Sequence, residues 1–280
     1  MAIRFLTDST ADISPAEAKE RGIGFVPLTV SFGDEAFRDN IDIDHTAFYE
    51  KLTASDVFPK TSQPSPTDFL PFFREAKEAG DSVICLLISA SLSGTVQSAL
   101  LAKEICEYDS IYVIDSLEAI IGLRMLVDLG MILRDEGKSA EEIVAELEDA
   151  KHRVRLFAMV DTLEYLHKGG RLSAASAVVG TILKVKPLVT LKEGALEVIG
   201  KARGVKDAYR TLLSMAGDTL SLDPRLPVYY GYTRDQSLCE PFKALADEKY
   251  GLTGTKMYSV GAVIGAHVGP GAVVMGYLEK

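Results

Sequence analysis

The stretch Val83-Ile-Cys-Leu-Leu-Ile88-Ser-Ala-Ser-Leu-Ser93-Gly94-Thr95-Val-Gln97-Ser-Ala99 decides the fold. Its six leading apolar residues lack polar alternation, which predicts a strand buried on both faces, as in a parallel sheet. Hydroxyl residues and one glycine follow, and residues 96–102 are rich in helix formers. Strand, small polar loop and helix start gather free backbone N–H groups and the positive end of a helix dipole at one point. Ser93 and Thr95 add hydroxyl donors there. The pattern predicts either an anion-binding loop or a plain helix cap supplied by Ser91 or Ser93.

The flanking segments repeat the alternation. Residues 3–6 read as a strand running into the polar turn Thr7-Asp8-Ser9. Ser14 and Pro15 start a helix over 15–21. A second strand region covers 23–32, and helices cover 44–52 and 68–79. Between these helices, Lys60-Thr61-Ser62-Gln63-Pro64-Ser65-Pro66 is held extended by its prolines. A strand over 111–115 ends in Asp115-Ser116, and a long helix over 120–136 follows. Such alternation argues for a parallel sheet covered on both faces, with ligands at the C-terminal ends of its strands. Asp8-Ser9, Thr61-Ser62, Ser93-Gly94 and Asp115-Ser116 are expected together on that rim.

Ser139 and Glu142 form a capping box before a helix over 139–154. A domain boundary is placed near Arg153, giving units 1–153 and 154–280. The second unit reads as a strand over 155–160, a helix over 163–168 and the turn Gly169-Gly170-Arg171. A small-residue helix over 174–183 and a hairpin over 186–199 turning at Gly194 come next. Helices over 204–220 and 235–250 alternate with strands over 228–232 and 255–260. A glycine-rich loop holding His267 then precedes a last strand over 271–277.

Composition narrows the function. The 280 residues are 47% hydrophobic and 25% charged, with net charge −10 and no long basic run. A nucleic-acid partner is therefore not expected. Cys85, Cys106 and Cys239 show neither metal spacing nor a disulfide framework, which fits a reducing cytoplasm. No stretch approaches the ~20 apolar residues of a membrane helix, so lipid contact is expected with single molecules or, transiently, with a membrane surface. No phosphate-binding loop or dinucleotide fingerprint is present, and four scattered histidines give no zinc spacing. No cofactor is expected.

Thr61, Ser93, His267 and Arg171 rise above this background, with Arg203 a weaker case. Glycines flanking His267 let the backbone close around a ligand, and imidazole can donate to a carboxylate. Arg suits planar recognition of carboxylate or phosphate. A Ser93–His267 pair also opens a serine-hydrolase reading on acyl esters, although no Gly-x-Ser-x-Gly elbow surrounds Ser93. Asp8 and Asp115 are the acids that could orient the histidine. A small-molecule sensor is a third reading.

Eight ordered motifs run through nearly the whole chain: Thr7-Asp8-Ser9-Thr-Ala-Asp12, Val26-Pro27-Leu, Thr61-Ser-Gln-Pro64-Ser, Ser89-Ala-Ser-Leu-Ser93-Gly94-Thr95, Val113-Ile-Asp115-Ser116, Leu166-His-Lys168-Gly169-Gly170-Arg171, Lys184-Val-Lys186-Pro187 and His267-Val-Gly269-Pro270-Gly271. Together they resemble the DegV family of bacterial fatty-acid-binding proteins. The resemblance implies an α/β fold, a parallel-sheet domain followed by a second α/β domain with a mixed sheet. It implies a non-enzymatic carrier of one long-chain fatty acid. The carrier would present the carboxylate to a separate ATP-dependent kinase that makes acyl phosphate for phospholipid synthesis. Thr61, Ser93, Gly94 and His267 would bind the carboxylate, and Arg171 and Arg203 would serve presentation. Arg171, on its two-glycine turn, is expected to stand clear of the acyl tunnel. Met159, Leu188, Val263 and the helix over 174–183 are expected to line it. Two segments depart from the family pattern: Leu117-Glu-Ala-Ile-Ile-Gly122, where serines and glycines are expected, and Thr233-Arg-Asp235, where a histidine-containing turn is expected.

Overall fold

A computed structural model describes residues 2–172 and 185–280; the expected helix over 174–183 lies outside them. In chain order the strands are β1 (Ile3–Asp8), β2 (Ile23–Val26), β3 (Thr29–Phe32), β4 (Glu35–Arg38), β5 (Lys60–Ser62), β6 (Ser82–Leu87), β7 (Ile111–Asp115), β8 (Val154–Met159), β9 (Val185–Lys192), β10 (Ala195–Arg203), β11 (Tyr229–Tyr232), β12 (Lys256–Ser259) and β13 (Val273–Leu278). The α-helices are α1 (Pro15–Arg21), α2 (His45–Ala54), α3 (Pro66–Ala79), α4 (Thr95–Cys106), α5 (Ile120–Asp135), α6 (Ala140–Ala150), α7 (Glu164–Lys168), α8 (Val205–Met215), α9 (Cys239–Tyr250) and α10 (Ala262–Val268). No helix among the described residues is long and apolar enough to cross a membrane.

Three sheets organise these elements. A four-stranded sheet runs β2-β1-β6-β7 with every neighbouring pair parallel. Its inner strand β6 is buried along its whole length, as its unbroken apolar run requires. A six-stranded sheet runs β10-β9-β8-β13-β11-β12, antiparallel except between β11 and β12. The α/β class, the parallel sheet and the mixed sheet are as the sequence led one to expect. Helix α5 lies between the two sheets. Twelve of its 16 residues are buried, so it is covered nearly all round. It joins Phe5, Ile84 and Leu86 of one sheet to Leu156 and Val274 of the other in a single core.

The third sheet, β4-β3-β5, is antiparallel and was not anticipated. It exists because Pro27 divides the expected strand over 23–32. A proline has no N–H to give a ladder, and the chain leaves the parallel sheet there to form β3. Thr61 and Ser62 consequently sit on β5, paired with Val30 and Thr29, and not on the rim of the parallel sheet.

Residues 262–268 form helix α10 where a glycine-rich loop was expected. Tertiary contacts override the low helix propensity of glycine. The Asp12 carboxylate accepts from Gly261 N at 2.8 Å, and the Asp39 carboxylate accepts from Ala262 N at 3.1 Å and Val263 N at 3.4 Å. Ala262 and Ala266 pack against Phe48 and Tyr49 of α2. The expected helices 204–220 and 235–250 shorten to α8 and α9, while Ser139 and Glu142 form their capping box on α6.

Candidate functional site

Two carboxylates at strand ends shape the loop between β6 and α4. Asp8 accepts from Thr10 N and Ile88 N, each at 2.8 Å. Asp115 accepts from Ala90 N at 3.1 Å and Leu117 N at 3.0 Å. Both acids are thereby committed to backbone donors. Gly94, not Ser91 or Ser93, occupies the cap position of α4. The Ser93 hydroxyl lies 2.8 Å from Thr95 Oγ1. Gln63 Nε2 donates to Gly94 O at 3.1 Å and to Ser98 Oγ at 3.0 Å. The segment after β5 is thus tied to the start of α4.

His267, near the end of α10, places Nε2 2.8 Å from Thr61 Oγ1. Its Nδ1 is buried without a hydrogen-bond partner among the described residues. Burial, helped by the Arg171 charge, lowers its pKa to about 4, so the ring is neutral at neutral pH. In the tautomer protonated at Nε2 the ring donates to Thr61, and the Thr61 hydroxyl hydrogen is free to point elsewhere. Gly169 makes room for the ring, since a Cβ there would overlap Nδ1.

Arg171 does not stand clear. It is half-buried, its Nε donates to Leu92 O at 3.1 Å and its Nη1 to Gly169 O at 2.8 Å. The two-glycine turn folds the guanidinium back over the loop that carries Ser93. Arg203 ends β10, is exposed, and its N–H donates to Asp207 at 2.9 Å. It is not among the residues that meet at the site.

Thr61, Ser93, Arg171 and His267 converge on one cavity. The rest of its wall is predominantly apolar. One face of β8 and its continuation supplies Leu156, Ala158 and Val160, spaced by two as a strand requires. The alternation sends Met159 to the opposite face, and Leu188 lies there too, both within a separate core. Neither lines the cavity as expected, whereas Val263 does. The sequence reading missed Leu28, Leu92 and Ile120, which the N-terminal half contributes. Large apolar residues set in otherwise polar turns, such as Leu92 between Ser91 and Ser93, were the available signal. Among the described residues no cluster of His, Cys, Asp and Glu is suited to a metal ion. A predominantly apolar cavity with a few clustered polar groups has the chemistry to take an amphiphile with a polar head.

The family model described as "Uncharacterised protein, DegV family" matches residues 2–280. A DegV domain-containing protein of Caldanaerobacter subterraneus subsp. tengcongensis is 34% identical over 99% of each chain. A DegV family protein from Thermus thermophilus, whose structure is described as showing fatty acid binding, is 36% identical with a TM-score of 0.88, covering 99% of this chain and 100% of its own. A stearic acid-binding protein from Eubacterium ventriosum is 27% identical with a TM-score of 0.87, covering 100% of this chain and 99% of its own.

Proposed function

The chain belongs to the DegV family, and from that premise we propose that it binds one long-chain fatty acid with the carboxylate at Thr61, Ser93, Gly94 and His267. The observation that carries the reading is the convergence of Thr61, Ser93 and His267 on an otherwise apolar cavity. A carboxylate leaving water needs oriented O–H and N–H donors. The acyl chain supplies affinity by burial, at ~0.8 kcal/mol for each CH₂. The fatty-acid-binding relatives of the same fold support it.

The finer reading is that this chain is a carrier, not an enzyme, and presents the carboxylate to a separate ATP-dependent kinase in the cytoplasm. The kinase would form an acyl phosphate that feeds phospholipid synthesis, and membrane contact would be transient. Arg171, at the cavity wall beside the head site, suits a phosphoryl group arriving at the carboxylate. Arg203 is an exposed cation available to the partner. In this reading residues 1–153 supply the loops with Thr61, Ser93 and Gly94, and residues 154–280 supply His267 and most of the acyl wall.

A serine hydrolase needs the Ser93 hydroxyl on His267 and an acid behind the ring. Here Ser93 bonds Thr95, His267 bonds Thr61, and Asp8 and Asp115 are engaged elsewhere.

The test is denaturing solvent extraction of purified protein followed by mass spectrometry. About one fatty acid per chain is expected. Recovery of no lipid, together with no uptake of added fatty acid, would overturn the reading.

A further inference from the structure

Ser89 opens the loop that carries Ser93, yet it is fully buried and is not among the residues that line the cavity. Its carbonyl accepts from Leu92 N at 3.0 Å and from Ser93 N at 3.1 Å, so the turn that carries Ser93 is wound on this residue. Its N–H donates to Glu118 O at 2.8 Å. Its hydroxyl accepts from Ser91 N at 3.2 Å and donates to Gly194 O at 2.8 Å. Backbone and side chain are both fully engaged.

The bond to Gly194 joins the two halves of the chain. Gly194 lies at the tip of the hairpin formed by β9 and β10, 105 positions beyond Ser89. The same hairpin lines the cavity with Val189, Thr190, Leu191 and Leu196. Tip and loop meet closely. A Cβ on Gly194 would stand 2.4 Å from Ser89 Oγ and 3.3 Å from the Leu117 side chain, and the residue holds a φ of 78° that suits glycine. The charged groups around this contact are occupied otherwise. Asp115 accepts from Ala90 N and Leu117 N. The Glu193 carboxylate lies 3.5 Å from His152 Nδ1. The Glu118 carboxyl is buried against Gly122, within the field of Arg155. A neutral hydroxyl therefore ties the acyl wall to the head loop. Hydrogen bonds weaken steeply with misalignment, and those to a carboxylate are among the strongest. A carboxylate is thus the head group most sensitive to where Ser93 and Gly94 stand.

We propose that Ser89 is a positioning residue: by bonding the hairpin tip it fixes Ser93 and Gly94 relative to the acyl wall, so that carboxylate recognition depends on a contact made outside the cavity. The inference rests on the fatty-acid reading above. Octadecanoic acid and octadecan-1-ol are titrated against delipidated wild type, Ser89→Ala, Gly194→Ala and Gly137→Ala. Gly194→Ala disturbs the same contact from the other half and carries the test if Ser89→Ala does not fold. Gly137, in the turn between α5 and α6, has a φ of 83° and open space around it, so its variant adds backbone strain without touching the loop. The acid-to-alcohol affinity ratio should fall about tenfold in Ser89→Ala and in Gly194→Ala and keep its wild-type value in Gly137→Ala. A merely structural role would weaken both ligands alike. A ratio unchanged in Ser89→Ala or in Gly194→Ala, or lowered equally in Gly137→Ala, overturns the positioning role and leaves the fatty-acid reading standing. Failure of the acid to bind wild type overturns both.

Discussion

Thr61 and His267, 206 positions apart, meet through a hydrogen bond of 2.8 Å between Oγ1 and Nε2. One is on a strand of the small antiparallel sheet, the other near the end of a helix packed beside that sheet. In the proposed head site neither residue acts alone, because the ring fixes the orientation of the Thr61 hydroxyl.

The two residues should therefore act as one unit. Thr61→Val and His267→Ala should each weaken fatty-acid binding about tenfold. The double variant should lose less than the product of the two. Titration of all four proteins with one fatty acid checks this, and strict additivity would mean that the pair acts independently.

Arg171 acts on the same ring through its charge. Arg171→Ala should raise the His267 pKa from about 4 toward its ordinary value, because one of the two lowering causes is removed. An NMR titration of the imidazole resonances reads this directly. The same variant should bind fatty acid more weakly, since the guanidinium contributes to the cavity wall.

The lowered pKa also has a stability consequence. The unfolded chain takes up a proton on this histidine below about 6.5, while the folded chain refuses it until about 4. The residue thus removes stability as pH falls through that window. Burial raises the pKa of Asp39 to about 6, which acts in the opposite direction over an overlapping range. Urea unfolding of wild type and His267→Gln between those pH values isolates the histidine. The wild type should lose up to about 3 kcal/mol relative to the variant, and parallel curves would contradict the assignment.

Gly169→Ala tests the packing of ring against turn. The added methyl overlaps Nδ1, and overpacking of this kind costs about 1–3 kcal/mol. Lower thermal stability together with weaker fatty-acid binding is expected. A variant like wild type in both would mean that the turn moves aside freely.

A serine-reactive phosphonate separates carrier from hydrolase. No labelling of Ser93 is expected, because its hydroxyl faces Thr95 and not a base. Stoichiometric labelling would restore the hydrolase.

The alternating halves of the fold were legible because β6 and α5 carry patterns that only buried elements tolerate. The loop at Ser93 was legible for its small polar residues between β6 and α4. The Thr61–His267 bond was not, since no local periodicity encodes a contact of that sequence separation. Helix α10 was misread because three glycines argue locally for a loop. Its stability comes from two distant carboxylates and the α2 surface, none of which is adjacent in the chain. Arg171 was misplaced for a related reason: glycine freedom permits a turn to project or to fold back, and the acceptor that decides, Leu92 O, lies 79 positions away.

Helix α10 begins on Asp12 and Asp39 and carries His267 in its last turn, so its anchor and its working end derive from opposite halves of the chain. A first half without Asp12 and Asp39 would part this helix from the carboxylates that start it. The halves are bound to a shared inheritance: a second half transplanted alone keeps the histidine but loses the footing that aims it.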